Sequence, residues 1–287
     1  MNFASRLTQQ ISKKDSRLLV GLDPHPGKIP ESYIKSLPKG DTEEVLFSYF
    51  KEVIEATLPF AVAYKPQIAF FEANGLAGLK ALQRLLSYLR SKGELVILDG
   101  KRNDIGSTAK AYAAAYLKKG ADFESDGLTI NAYLGSDGVL PFLDYPEKSV
   151  FALLKTSNPS SGELQDLGLA SGETLYEHLA ELITTWNKEH LDPSGYGPIG
   201  CVIGATYPDH MAQLRSRLPH SILLVPGFGA QGGSQDAVRA AFHKDGLGAI
   251  INSSRQINFP ADFEARGFDA VREAARDVRD TINELAH

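Results

Sequence analysis

The sequence predicts an α/β protein of the (β/α)8, or TIM, barrel class, and two observations support this prediction. Short apolar runs recur eight times along the 287 residues, and most are separated by stretches with helical spacing of apolar residues. Eight strand–helix units in about 250 residues or more are typical of this barrel. The eight runs occupy residues 18–22, 61–64, 95–98, 127–130, 150–154, 200–203, 222–225 and 248–251.

The connecting stretches carry apolar residues three or four positions apart, which is the spacing along one face of an α-helix. Three of them are Val45, Leu46, Tyr49, Phe50, Val53 and Ile54; Leu76, Leu79, Leu82, Leu86 and Leu89; and Phe268, Val271, Ala275, Val278, Ile282 and Leu285. A doubly wound open sheet is the alternative architecture, but it rarely has eight such evenly spaced units. Because no linker or shift in composition interrupts the chain, we predict a single domain over residues 1–287.

The composition is ordinary for a soluble globular protein, with 43% hydrophobic and 23% charged residues. The net charge of −5 gives no sign of a nucleic-acid-binding surface. No apolar run approaches the ~20 residues of a membrane span, and the N-terminus lacks the apolar core of a signal peptide. The single cysteine, Cys201, lies in an apolar run and is interpreted as a small core residue. We therefore expect a cytoplasmic protein that binds neither nucleic acid nor a membrane.

Polar side chains follow most of the eight runs, where barrel enzymes place their chemistry. They are Asp23 after the first run, Lys65 and Gln67 after the second, Asp99, Lys101 and Asp104 after the third, Asn131 after the fourth, Lys155, Thr156, Ser157 and Asn158 after the fifth, Gln231 after the seventh, and Asn252, Ser253, Ser254 and Arg255 after the eighth. So many charged and amide groups at strand ends are hard to explain by packing. His25 is interpreted as part of a rigid turn between Pro24 and Pro26.

The third run is followed by the most informative charges. In an extended strand Asp99 and Lys101 point the same way, and Asp104 follows just before a helix predicted over 108–119. Two carboxylates around one ammonium favour its protonated form, and such an ammonium can deliver a proton to a developing carbanion. The alternative is a salt bridge that caps the strand. The carboxylates could bind Mg²⁺, but Lys101 already supplies positive charge, so we expect no metal.

The ends of the seventh and eighth runs predict a phosphate site. Gly227, Gly229, Gly232 and Gly233 let the backbone approach a ligand closely and expose N–H groups. Ser234 then begins a predicted helix, whose N-terminus favours an anion. Arg255 adds a forked donor suited to phosphate. The alternative is a flexible glycine turn and a surface arginine, but barrels commonly bind phosphate at these two loops.

The motif Asp99-x-Lys101-x-x-Asp104, followed by Ile105 and Gly106, resembles the signature of the orotidine 5′-phosphate decarboxylase family in its longer bacterial type. The resemblance extends over nearly the whole chain. Further matching segments are Gly-Leu-Asp-Pro at 21–24, Tyr-Lys-Pro-Gln-Ile-Ala-Phe-Phe-Glu at 64–72, Asn-Ala-Tyr-Leu-Gly at 131–135, Thr-Ser-Asn-Pro at 156–159 and Val-Pro-Gly-Phe-Gly-Ala-Gln-Gly-Gly at 225–233. The core motif occurs in related sugar-phosphate barrels, whereas the order and spacing of all segments are highly specific.

The resemblance implies a role for each matching residue. Lys101 would protonate C6 of the pyrimidine after CO₂ leaves, and Asp99 would lie beside the substrate carboxylate. Asp104, Ile105 and Thr108 would reach into the neighbouring subunit's site. Asp23 and Lys65 would bind ribose hydroxyls and complete a Lys–Asp network, with Lys65 counted among the catalytic residues. Ser157 would recognise the pyrimidine, Gln231 and Arg255 would bind the phosphate, and Pro226 and Gly227 would be further substrate-binding residues.

The resemblance also implies a homodimer with sites at its interface, no cofactor, and decarboxylation of orotidine 5′-phosphate to UMP in pyrimidine biosynthesis. The polar loop 157–171 is a candidate lid that closes as phosphate binds. One alternative is a metal-dependent decarboxylase or synthase acting on a sugar phosphate, but those relatives usually carry an acidic residue in place of Lys65. Another is a catalytically silent barrel that senses a phosphorylated ligand, although such a relative should have lost part of the motif.

Overall fold

The computed structural model describes residues 1–38, 40–227 and 234–287, and eight parallel strands in them form a barrel. The strands are β1 (Leu18–Leu22), β2 (Ala61–Pro66), β3 (Ile97–Arg102), β4 (Gly127–Ile130), β5 (Ser149–Lys155), β6 (Ile199–Ile203), β7 (Leu223–Val225) and β8 (Ala249–Ser253). Their order is β2-β1-β8-β7-β6-β5-β4-β3, and two isolated parallel bridges, Tyr64 to Val96 and Gln67 to Asp99, join its ends. The barrel is nearly closed, which confirms the predicted class.

Most of the helices lie between successive strands and cover the outside of the barrel. Those in the described residues are α1 (Phe3–Lys14), α2 (Glu31–Ser36), α3 (Thr42–Thr57), α4 (Ile68–Glu72), α5 (Gly75–Ser91), α6 (Gly106–Leu117), α7 (Leu175–Asn187), α8 (Pro208–Arg217), α9 (Gln235–Ala241), α10 (Arg255–Asn258), α11 (Phe263–Arg266) and α12 (Phe268–Ala286). None of these helices combines the length and apolar character that a membrane crossing requires.

The predicted apolar faces pack on the barrel, except at the start of α5. The six residues predicted on α3 are all buried. On α5 the prediction was wrong for Leu76, which is 77% exposed. It lies in the first turn, directly after the Gly75 at which the helix begins, whereas the buried face lies further along, around Leu82 and Leu86. The helix predicted over 108–119 begins and ends two residues earlier, as α6.

The apolar core has two layers, as the alternation of strand side chains requires. One layer lies between strands and helices and includes Cys201, which is fully buried as predicted. The other fills the barrel interior, where Phe3, Leu7 and Ile11 of α1 join strand residues such as Phe151. The rings of Phe3 and Phe151 meet edge to face, with centroids 5.8 Å apart. Apolar side chains of the first helix therefore pack against the residues that fill the barrel interior, and the polar strand ends lie at the carboxyl face.

Candidate active site

The site is built around the carboxylate of Asp99, which accepts hydrogen bonds from four side chains. Oδ2 accepts from Lys65 Nζ at 2.9 Å and from Gln67 Nε2 at 2.9 Å. Oδ1 accepts from Lys101 Nζ at 2.7 Å and from Thr129 Oγ1 at 2.7 Å. These donors come from β2, the residue after it, β3 and β4, so one carboxylate links three neighbouring strands.

Strand alternation explains why these groups meet. Leu98 packs in the outer layer and Ile97 in the barrel interior, so Asp99 projects inward. Likewise, Tyr64 packs in the outer layer, so Lys65 projects inward and Gln67 follows on the same side. The predicted contact between Asp99 and Lys101 is present.

The backbone between Asp99 and Lys101 is not the regular extended strand that we predicted. Lys101 has a φ of +46°, in the left-handed region that a lysine rarely adopts. The register with β4 shifts here, since Leu98 pairs with Leu128 and Arg102 with Ile130. Three residues of β3 therefore oppose a single residue of β4, which is a bulge. The strand also continues through the charged residues rather than ending at Leu98.

Opposite charges decide the ionisation of the buried groups. Asp99 is 7% and Lys65 is 5% exposed. Burial by itself raises the pKa of Asp99, but Lys65 and Lys101 outweigh this effect and hold the pKa well below its usual range. Burial lowers the pKa of Lys65, but Asp99 and Asp23 outweigh this effect and the pKa is raised. The group thus holds a carboxylate anion between two lysines.

Two adjoining cavities open at this face of the barrel, and Lys65 and Pro226 line both. The first, of about 400 Å³, is lined by a mixed set that includes Asp99, Lys101, Thr129, Ser157, Asn158 and Gln165. The second, of about 270 Å³, is lined by residues that include Asp23, His25, Gln67, Phe70, Gly227, Asn252, Ser253 and Arg255. One continuous ligand could therefore contact the charge group at one end and Arg255 at the other.

Three buried polar atoms that line the second cavity have no hydrogen-bond partner among the described residues. They are Asp23 Oδ1, Asn252 Oδ1 and Ser253 Oγ. Buried polar atoms are normally hydrogen-bonded, and a cluster of exceptions needs an explanation. A ligand with hydroxyl groups or other donors in this cavity would supply partners. Neither Asn252 nor Ser253 was among the predicted binding residues.

The predicted phosphate end is only partly described. Arg255 begins the short helix α10 and lines the second cavity together with Gly227, whose φ is +81°. Ser234 precedes α9, as predicted, and its side chain accepts from the backbone N–H of Ala237. Gln231, together with Gly229, Gly232 and Gly233, lies outside the described residues.

Asp104 does not flank Lys101 within this chain, so our expectation of two carboxylates around one ammonium was wrong. Among the described residues Asp104 has no ion pair with Lys101, and its Oδ1 accepts from the backbone N–H of Ile105 at 2.7 Å. Ile105, 51% exposed, lines a separate surface cavity with Ser136 and Leu140, and Thr108 is exposed.

Besides Asn252 and Ser253, sequence reasoning assigned no binding or catalytic role to three further residues at the site. Gln67 was noted at a strand end but not assigned a role, although its position two residues after Lys65 indicated the same face. Thr129 contacts Asp99 because β3 and β4 are neighbours, and nothing in the local sequence signals that contact. His25 was interpreted only as part of a turn, yet it lines the second cavity, with its ring 4.5 Å from that of Phe70.

A possible metal-binding group lies elsewhere, around α7. The ligand atoms of Glu173, His178 and Glu181 lie within 4.8 Å of one another in the described part of the chain. Arg217 already pairs with both carboxylates, through Nη1 at 2.9 Å from Glu173 and 3.2 Å from Glu181. This arrangement is an exposed salt-bridge cluster, and its positive charge opposes a cation.

The chain is similar to known proteins over nearly its whole length. Residues 16–266 match the model of the family described as "Orotidine 5'-phosphate decarboxylase / HUMPS family". The orotidine 5′-phosphate decarboxylase of Rhodopirellula baltica is 44% identical over 98% of this chain and 99% of its own length. The orotidine 5′-phosphate decarboxylase of Roseiflexus castenholzii is also 44% identical, over 99% of this chain and 98% of its own length. The structure of Leishmania donovani OMP decarboxylase is 35% identical with a TM-score of 0.81, covering 100% of this chain and 99% of that one.

The depressed pKa of Asp99 predicts a specific pH dependence of stability. The ordinary carboxyl pKa is 3.8, and the folded value is lower, so this group contributes stability above about pH 4 that is lost as the pH falls. Asp99→Asn removes that contribution. The difference in unfolding free energy between wild type and Asp99→Asn, measured by urea denaturation, should be largest near pH 7. It should narrow below about pH 4, by at most about 1.4 kcal/mol per pH unit.

The control is Asp209→Asn, which changes an exposed carboxylate on α8 and should parallel the wild type at every pH. A difference for Asp99→Asn that stays constant from pH 7 to pH 3 would show that the two lysines do not hold Asp99 ionised.

Proposed function

The chain belongs to the orotidine 5′-phosphate decarboxylase / HUMPS family, and we propose that it decarboxylates orotidine 5′-phosphate to UMP and CO₂. This reaction is the last step of UMP biosynthesis. The observation that carries the proposal is the Lys65–Asp99–Lys101 charge group facing one cavity, with Arg255 in the adjoining cavity. The curated relatives that share nearly the whole length of the chain are named for this activity.

The charge group suits a reaction that forms a carbanion without an electron sink. When the bond between C6 and the carboxylate breaks, the electron pair stays on C6 and CO₂ departs. Lys101, whose side chain is 45% exposed, would transfer a proton from Nζ to C6. Asp99 would lie beside the departing carboxylate, and its hydrogen bonds hold Lys101 in place. Fixed charges that need no reorganisation are an effective way to stabilise such a transition state.

The remaining predicted residues would bind the parts of the substrate that do not react. We assign the ribose hydroxyls to Asp23 and Lys65, and the pyrimidine to Ser157. Arg255 and Gln231 would bind the phosphate, with Pro226 and Gly227 alongside. The unpartnered atoms in the second cavity support this division, since ribose hydroxyls could donate to Asp23 and Asn252. Binding energy from the remote phosphate can then help to order the reactive end.

The main alternative is a metal-dependent reaction of a sugar phosphate, because the family name covers more than orotidine 5′-phosphate decarboxylases. Lys65 argues against it, because its ammonium occupies the place where such enzymes usually carry an acidic ligand. Lys65 also pairs with Asp99 at 2.9 Å, so that carboxylate is already neutralised. We therefore propose a reaction that requires neither metal nor organic cofactor, in the cytoplasm.

We also propose a homodimer in which Asp104, Ile105 and Thr108 complete the partner's site. All three lie outside the charge group of their own chain, at the same end of the barrel. Several apolar side chains at this end of the barrel are exposed, and two of them, Ile105 and Leu140, line one surface cavity, which supports a protein contact. Ile105 is 51%, Tyr133 72% and Leu140 42% exposed.

The phosphate role of Arg255 can be tested with two substrates. EDTA-treated wild-type protein should convert orotidine 5′-phosphate to UMP. The loss of the substrate's ultraviolet absorbance measures this reaction. Arg255→Ala should lower kcat/KM for this substrate about 10- to 100-fold, because it removes a charge-assisted hydrogen bond. The same change should alter kcat/KM for orotidine, which lacks phosphate, by less than about threefold.

The matched control is Arg266→Ala on α11, an exposed arginine paired with Asp262 at 3.0 Å, which should affect neither substrate. Equal losses for both substrates in Arg255→Ala would refute its role. The wild type could instead be inactive on orotidine 5′-phosphate without metal and act on a sugar phosphate when Mg²⁺ is added. That result would favour the metal-dependent reaction.

The shared site can be tested by subunit complementation. Lys101→Ala and Asp104→Ala should each be inactive as homodimers. In a mixed dimer one site receives intact Lys101 from one chain and intact Asp104 from the other, so that site should work. Random mixing should restore roughly a quarter of the wild-type activity per site. No recovery, with mixed dimers verified by mass spectrometry, would contradict a site shared between subunits.

A further inference from the structure

We propose that Thr129 is a positioning residue for this reaction, because its hydroxyl fixes both the backbone and the carboxylate that aim Lys101. The proposal rests on the proposed decarboxylase function and extends it to a residue that the sequence motif does not include. Thr129 lies on β4, is 1% exposed and lines the cavity that contains Asp99 and Lys101.

The hydroxyl of Thr129 makes two hydrogen bonds in opposite roles. Oγ1 accepts from the backbone N–H of Lys101 at 3.0 Å and donates to Asp99 Oδ1 at 2.7 Å. The same Oδ1 accepts from Lys101 Nζ at 2.7 Å. The three residues therefore form a closed ring of hydrogen bonds, which joins the main chain of Lys101 to its own ammonium group. The single hydroxyl proton is committed to Asp99.

The backbone of Lys101 needs such a restraint. Its φ of +46° is unfavourable for a residue with a side chain, and a conformation of this kind persists only where surrounding contacts hold it. Asp99, Gly100 and Lys101 all lie opposite Thr129, because the pairs on either side are Leu98 with Leu128 and Arg102 with Ile130. The N–H of Lys101, displaced from the regular ladder by this bulge, donates to the threonine side chain instead.

A threonine side chain is well suited to hold the backbone of Lys101 and the carboxylate of Asp99. A β-branched side chain in a strand has restricted χ1 rotation, so the direction of its hydroxyl is well defined. The other two donors to Asp99, Lys65 and Gln67, bind Oδ2 and leave Oδ1 to Lys101 and Thr129. Loss of the hydroxyl would free both the bulge and one side of the carboxylate, while leaving the lysine pairs chemically intact.

The test compares Thr129→Val, which keeps the shape and removes the hydroxyl, with Thr129→Ser, which keeps the hydroxyl. We expect Thr129→Val to lower kcat for orotidine 5′-phosphate about 10- to 100-fold, the size expected for losing a hydrogen bond to a charged group. Thr129→Ser should remain within about threefold of wild type. KM should change by less than about threefold in both variants, because the binding groups at the phosphate end are unchanged.

The matched control is Thr57→Val on α3. Thr57 is also fully buried, and its hydroxyl bonds to Val53 O and Tyr64 Oη in the outer layer, away from Asp99. This variant should lower the melting temperature without changing kcat. If Thr129→Val does not yield folded protein, Thr129→Ala supplies the comparison, and it too should lose the activity that Thr129→Ser retains.

The outcomes separate this inference from the function on which it rests. An active wild type with kcat preserved in Thr129→Val would overturn the positioning role alone. An equal loss in Thr129→Ser and Thr129→Val would also overturn it, since the hydroxyl would then not be the group that matters. A wild type inactive on orotidine 5′-phosphate would overturn the proposed function and, with it, this role.

Discussion

The structure of the site depends on one buried carboxylate that must be paired. Asp99 is 7% exposed, and an unpaired carboxylate at such a position would cost several kcal/mol. Lys65 and Lys101 prevent that cost, because Lys65 pairs with Oδ2 and Lys101 with Oδ1. Each oxygen also accepts one hydrogen bond from a neutral side chain, Oδ2 from Gln67 and Oδ1 from Thr129. Satisfying all four contacts requires the ends of β2, β3 and β4 to lie at fixed separations, so the same interaction closes the barrel and assembles the reactive groups.

The charge group around Asp99 also connects the two cavities at the carboxyl face of the barrel. Since Lys65 borders both cavities, the charge group and the Arg255 end are parts of one continuous surface. Lys65 also interacts with Asp23, which raises its pKa further and connects the group to β1. Beyond the bulge, in the described residues, Asp104 forms no ion pair with Lys101 and accepts from the backbone N–H of Ile105 instead. The bulge thus accounts for the unusual backbone geometry of Lys101.

Much of this arrangement could be predicted from periodicity. The eight apolar runs correspond to the eight strands, because residues buried on both faces of a parallel strand must be apolar. Alternation also predicted the contact between Asp99 and Lys101. It could not predict the bulge, since a positive φ at a lysine has no local signal, and the placement of Asp104 therefore failed. Thr129 was not singled out, and Asn252 was noted at a strand end without a role, because the roles of both depend on which strands are neighbours across the barrel. Leu76 was predicted wrongly for another reason, because helical spacing does not show at which turn a helix first contacts the barrel.

The most direct test of the account is the turnover of orotidine 5′-phosphate by wild type and Lys101→Ala, both treated with EDTA. The wild type should consume the substrate and release UMP. Lys101→Ala should retain its fold by circular dichroism and its affinity for UMP within about tenfold, yet show no measurable turnover, because the proton donor to C6 is missing. Turnover by Lys101→Ala at a rate near that of the wild type would contradict the assignment of Lys101, and an inactive wild type would contradict the decarboxylase function itself.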